Sequence, residues 1–303
     1  MQQPTPLERR LDAVAHRLLA RAPERGLRAG LVEFAVFVVK QAWACVFGAC
    51  LLVVIVVVRL WWPGDAAVAP NDALTIAAVL IQVAMVAFRL ETGRELWVIV
   101  LFHLAGTAME IFKTDAGSWT YAADGILRIG GVPLFSGFMY AAVGSYLVRV
   151  HRLFDLGFRR YPPVWATTVV AVAVYANFFT HHFWWDARWV LFAAVVGLWL
   201  PTTMYARVWR RVIRLPVLAA FAGVALFIYV AENIGTGAGA WLYPDQVDGW
   251  HPVSAAKLGS WFLLMIISVV MVTWVYPPRT VSADRGPAGA PSARVSGAGD
   301  RNA

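Results

Sequence analysis

Apolar and polar positions divide this chain into long apolar runs separated by short charged turns. Eight runs stand out, near residues 34–60, 73–90, 95–113, 132–150, 163–181, 188–208, 215–235 and 254–276. Each approaches the roughly 20 apolar residues that carry a helix across a bilayer, so the pattern predicts about eight transmembrane helices. The flanks differ. Before the first run, Leu7, Leu11, Val14 and Leu18 recur at helical spacing with Arg9, Arg10, Arg17 and Arg21 among them. That pattern predicts a basic amphipathic helix on an anionic membrane surface. After Pro277 the chain turns to Gly, Pro, Ser, Ala and Arg without periodicity and is expected to be disordered. The expected organisation is a cytoplasmic segment over 1–30, a membrane domain over 31–277 and a disordered cytoplasmic tail over 278–303.

Composition supports the membrane reading. Of 303 residues 60% are apolar and 15% charged, with a mean hydropathy of +0.62; soluble domains lie nearer half apolar and a quarter charged. Tryptophans gather at run ends, as in Trp61-Trp62, Trp184-Trp185 and Trp209, where an amphipathic indole settles in a bilayer. The net charge of +8 does not point to nucleic acid, because the arginines lie between apolar runs and form no contiguous face. Most lysines and arginines fall in the N-terminal segment, the turns near 89–94, 149–160 and 207–214, and the tail. The alternate loops hold Arg59, Lys113, Arg128, Arg188 and Lys257. The positive-inside rule then sets both termini in the cytoplasm of a bacterial inner membrane. Glu33, Lys40 and Arg59 are expected to snorkel from helix ends. The first run starts too late for a secretory signal. Cys45 and Cys50 sit on one helix, where they cannot readily pair, and are expected to serve packing.

One polar motif occurs twice. Residues 110–121 and 232–243 share, without a gap, Glu110/Glu232, Thr114/Thr236, Ala116/Ala238, Gly117/Gly239, Trp119/Trp241 and Tyr121/Tyr243. The copies end the third and seventh predicted helices, an offset of four. The fold expected is thus an all-α, polytopic membrane helix bundle of two parallel four-helix repeats, about 31–160 and 161–277, related by an axis along the membrane normal. Both copies are expected on the non-cytoplasmic side, meeting near that axis.

His103, Thr107, Glu110 and Thr114 share one face of the third helix. An ionisable group at helix depth costs about 2.5–3.5 kcal/mol on insertion scales, so it normally faces the bundle interior. Two carboxyls brought together in a low-dielectric pocket cannot easily both ionise. The candidate catalytic residues are therefore Glu110 and Glu232, with His103 tuning the protons. Trp119, Tyr121, Trp241, Tyr243, Thr107, Thr114, Thr236, Asn177 and His181 are the candidate substrate-binding residues. Each also has a plainer reading: aromatic anchors for the Trp and Tyr pairs, helix–helix hydrogen bonds for His103 and the glutamates. Phosphate-loop, nucleophile-elbow and His-Glu-x-x-His patterns are absent. Four histidines lie on the motif side, but no pair has diagnostic metal spacing, so no metal site or cofactor is assigned.

The stretch His103–Tyr121, with Gly130–Tyr140 and Ala231–Pro244, resembles a bacterial integral-membrane family known as domain of unknown function 817. The resemblance spans nearly the whole membrane region; it implies a multi-pass membrane protein and no activity. A narrower similarity links Glu110, Gly117, Trp119, Tyr121 and Gly131-Val-Pro-Leu134 to membrane carotenoid hydratases. It implies protonation of an isoprenoid double bond by an acid, with aromatic faces stabilising the cation. Three functions follow as expectations. The first is an enzyme acting on a lipophilic, isoprenoid-like molecule by general-acid chemistry in the outer half of the bilayer. The others are a small-solute or proton-coupled transporter hinged at Pro201, and a non-catalytic scaffold. The partners expected are the lipid bilayer and a lipophilic small molecule; the sequence leaves the oligomeric state open.

Overall fold

The computed structural model describes residues 5–20, 23, 25–122 and 124–281. Ten helices dominate it: α1 (Pro6–Leu19), α2 (Leu27–Ala44), α3 (Val46–Trp61), α4 (Pro70–Ala87), α5 (Gly93–Asp115), α6 (Phe135–Leu153), α7 (Val164–Thr180), α8 (Arg188–Trp199), α9 (Val217–Gly237) and α10 (Ala256–Val275). Local chemistry sets several starts. Pro70 opens α4 at a position whose amide has no helical partner. Thr92 and Glu95 form a capping box at the start of α5, with the Thr92 amide donating to Glu95 at 2.6 Å.

Among the described residues the helices α4, α5, α9 and α10 are long and apolar enough to cross a membrane, and the pair α2–α3, bent by 65° at Cys45, passes the same test only when taken together as one broken span. The remaining runs also form helices. However, α6 carries Arg149 and Arg152, and α7 and α8 have 17 and 12 residues. Twelve residues reach only about 18 Å, short of the hydrocarbon core. Four to five spans, rather than eight, thus meet the length and apolarity requirement. The outer faces carry an apolar coat, including Val53, Leu80, Leu104, Val169 and Leu226, all more than half exposed. That coat belongs against lipid. The chain is a multi-pass membrane protein.

The predicted sixth helix stops early. It ends at Trp199, and residues 203–207 become a strand. Pro201 lacks an amide hydrogen and disfavours helix at the residue before it, so it terminates a helix rather than hinging one. Three antiparallel strands, β3 (Gly157–Arg159), β4 (Thr203–Arg207) and β5 (Val212–Pro216), close that end of the bundle. A two-residue hairpin of β1 (Arg128–Ile129) and β2 (Val132–Pro133) lies at the motif end. Residues assigned to the tail continue this sheet: the Phe158 amide donates to Arg279 and the Val281 amide to Phe158, both at 2.8 Å. The rest of the expected disordered tail, from 282, lies outside the described residues.

Packing pairs α5 with α6 and α9 with α10. A core of Val98, Phe102, Trp199, Phe221 and Ile266 fills the centre. The end opposite the motifs holds a buried ion cluster. Arg152 bridges Glu8, at 2.8 Å, and Glu95; Arg149 lies 3.5 Å from Glu91, which also accepts from Ser145 at 2.6 Å. Arg149 and Arg152, counted above as loop charges, are interior residues of α6. Through Glu8, α1 is tied to the bundle. Its Val14 is exposed, while the side chains of Leu7, Leu11 and Leu18, and Arg21, lie outside the described residues. Glu33 and Lys40 do not snorkel: Glu33 accepts the Arg210 amide at 3.0 Å, and Lys40 donates to the Leu153 carbonyl at 2.8 Å. Arg59 is likewise tied, to Asn71. Both cysteines are free; Cys50 faces outward and Cys45 faces a cavity.

Candidate functional site

The two motif copies end their helices in the same turn. After α5, the Gly117 amide donates to Thr114 and the Ser118 amide to Lys113. After α9, the Gly239 amide donates to Thr236 and the Ala240 amide to Gly235. Gly117 and Gly239 sit at φ +70° and +73°, a left-handed conformation that favours glycine at a helix end. The chains then meet: Thr120 and Leu242, equivalent positions, exchange both backbone hydrogen bonds at 2.9 and 3.0 Å in an antiparallel bridge.

Behind this bridge both glutamates are buried. Glu110 accepts three hydrogen bonds: from the Trp119 indole and the Tyr121 hydroxyl, each at 2.8 Å, and from Tyr140 on α6 at 2.7 Å. Glu232 accepts from Tyr243 and from Trp261 on α10. Each carboxyl is thus met by the tyrosine of its own motif and an aromatic donor of the helix that follows.

One substitution breaks the symmetry. Lys113 occupies the place that Gly235 holds in the second copy. A Cβ at Gly235 would fall 2.3 Å from the Trp241 ring, so this glycine makes room for the Trp241 indole. In the first copy the position is filled by lysine, and Trp119 turns to Glu110 instead. Gly106 has a matching use, since a Cβ there would lie 2.4 Å from Tyr140. It lets Tyr140 cross close over α5 to reach Glu110.

A cavity of ≈ 620 Å³ adjoins the pair, within the size range of small-molecule pockets. Leu51, Ile55, Phe227 and Leu264 represent its mostly apolar wall. Glu110, Glu232, Trp119, Tyr121, Trp241 and Tyr243 line its polar end, joined by His181, His182 and the cations Lys113, Arg188 and Lys257. The Lys113 ammonium lies 2.9 Å from His182 Nε2 and 3.4 Å from His181 Nε2. Partial desolvation, with the Lys113 and His181 charges beside it, holds His182 below the usual histidine value, which suits a neutral acceptor for that lysine. Lys257 stands 3.9 Å from the Tyr243 ring centre and 5.9 Å from that of Trp119, close enough for cation–π attraction.

The other candidates lie elsewhere. His103 packs on Gly137 and edge-on to Phe138, between α5 and α6, outside the cavity wall. Thr107 and Thr114 do not line the cavity either, and the Thr114 hydroxyl is buried without a partner among the described residues. Thr236 donates to the Glu232 carbonyl and receives the Trp250 indole. Asn177 bonds Asp186 and the Ala187 amide, bracing the turn from α7 to α8. Of Asn177 and His181, only His181 reaches the cavity. Sequence reasoning missed Tyr140, Trp261, Lys113, Lys257 and His182. A signal for Tyr140 and Trp261 existed: each is an aromatic at nearly the same distance beyond its motif copy. Among the described residues no group of three or more His, Cys, Asp or Glu could hold a metal ion.

Residues 33–269 match the family described as protein of unknown function (DUF817). The chain belongs to that family. A relative, the uncharacterized protein YoaT of Bacillus subtilis (strain 168), is 45% identical over 201 residues, 66% of this chain and 76% of the relative. Among solved structures, MvINS, a mycobacterial Insig homolog from Mycobacterium vanbaalenii, aligns at 14% identity with a TM-score of 0.45. The match covers 62% of this chain and 98% of that one, and a cross-linked MvINS trimer gives the same figures. These matches do not show the expected similarity to carotenoid hydratases.

Proposed function

We propose that this protein takes a lipophilic, isoprenoid-like molecule into the cavity and acts on it by general-acid chemistry at the paired glutamates. In this reading the protein lies in the bacterial inner membrane with both termini cytoplasmic, so the cavity opens in the outer half of the bilayer. The balance of basic residues between the two ends of the bundle supports that orientation. The observation that carries the proposal is a mostly apolar cavity of ≈ 620 Å³ ending on two buried carboxyls.

The two carboxyls have different capacities. Glu110 is engaged by three donors, two of them on one oxygen, so it acts as the fixed anchor of the aromatic wall. Glu232 receives one donor on each oxygen, which leaves lone pairs open, and we assign it the acid role. Its proton would add to a double bond, whose π electrons form the new C–H bond. Trp and Tyr faces beside the resulting cation would stabilise it, and water would quench it and return a proton to the carboxylate. The test compares Glu232→Gln and Glu110→Gln, with mass spectrometry of lipids extracted from the host and from the purified protein. Glu232→Gln should fold, retain a co-purifying lipophilic molecule and stop its conversion. A lipid profile unchanged in both variants, with both folded, would sink the enzymatic reading.

A packing-joint reading draws on a specific observation too, since the donors to each carboxyl come largely from its own motif and the next helix. It expects both variants to lower thermal stability with no conversion to lose.

A further inference from the structure

Lys113 is 5% exposed, and among the described residues no carboxylate lies within 4.0 Å of it. Its neighbours are two histidines and the Phe178 ring. Arg188 has Asp186 at 3.3 Å. Among the described residues Lys257 also has no carboxylate within 4.0 Å, although Glu232 acts on it electrostatically from farther away. Three cations therefore line the polar end of a mostly apolar cavity, and among the described residues only Arg188 of the three has a carboxylate within 4.0 Å. A buried ammonium without a counter-charge is costly, and a bound anion would remove much of that cost.

We propose that the cavity takes an amphiphile with an anionic head, held between Lys113, Lys257 and Arg188, while its apolar tail lies along the wall of Leu51, Ile55 and Leu264. Carboxylate and phosphate monoester heads share the required chemistry. The inference rests on the cavity serving a lipophilic ligand, as proposed above, and adds the charge of that ligand. The cations orient the tail, so the chain atoms just below the head come to rest beside the glutamates and aromatics.

Binding of oleate, oleyl phosphate and methyl oleate to the full chain in neutral detergent tests this. Charge-assisted contacts should favour the anions over the ester by at least about tenfold. Lys113→Met should abolish that preference and leave ester affinity in place, while Lys113→Arg should retain it. If Lys113→Met does not fold, Lys257→Met serves as the second variant and should reduce the same preference. A preference for only one anion identifies the head and supports the inference. Equal binding of anions and ester, unaltered by either variant, overturns the inference and leaves the lipophilic cavity standing. No binding of any of the three to folded protein overturns the inference together with the cavity reading beneath it.

Discussion

At Glu110 three donors converge from one motif turn and one neighbouring helix, and the convergence depends on small residues as much as on polar ones. Tyr140 reaches the carboxyl only because Gly106 leaves it room. Trp241 packs against its own helix only because Gly235 does the same. The motif's glutamates, tryptophans and tyrosines were legible as a repeated pattern, but their partners were not. Tyr140 and Trp261 sit on the following helices, and periodicity says nothing about which face of one helix meets which face of another. Tyr140→Phe removes one of three donors from a buried carboxyl, for which about 1–3 kcal/mol of stability should be lost. Thermal unfolding in detergent would measure it, and an unchanged midpoint would show that the hydrogen bond contributes nothing net.

Helices carry the next level of organisation. Six of the eight apolar runs mark a helix to within a few residues, because length and hydropathy are local properties; the run over 34–60 holds two helices, bent by 65° at Cys45, and the run over 188–208 ends early. They failed where a backbone constraint or a buried ion pair overrode them. Pro201 ends α8, and the chain continues as β4 where a helix was expected. Arg149 and Arg152 were read as loop charges near the end of α6, yet both are buried against Glu8, Glu91 and Glu95. Those carboxylates come from α1, α5 and the turn before α5, so no single window of sequence contains the cluster. Removing one member of a buried ion cluster leaves uncompensated charge, typically at a cost of about 3–5 kcal/mol. Arg152→Ala should therefore destabilise strongly and release α1, seen as faster cleavage near its end in limited proteolysis. Unchanged cleavage would mean that α1 is held by other contacts.

For the molecule as a whole, the decisive feature is the backbone bridge between Thr120 and Leu242. Residues that exchange both hydrogen bonds in an antiparallel pair lie about 5.5 Å apart at Cα, inside the range a disulfide spans. Thr120→Cys with Leu242→Cys, in a background lacking Cys45 and Cys50, should cross-link under mild oxidation without loss of folded protein. Failure to cross-link would mean that the two motif turns do not meet. The sequence by itself determined that this is a multi-pass helical membrane protein and that it repeats one polar motif; composition and local spacing encode both. Only the tertiary structure decided that the copies pair, that a cavity ends on both glutamates and that Lys113 and Lys257 share it. It also decided that His103, Thr107, Thr114 and Asn177 lie away from that cavity. These outcomes depend on helix rotation and close approach, which are set by contacts between segments far apart in the chain.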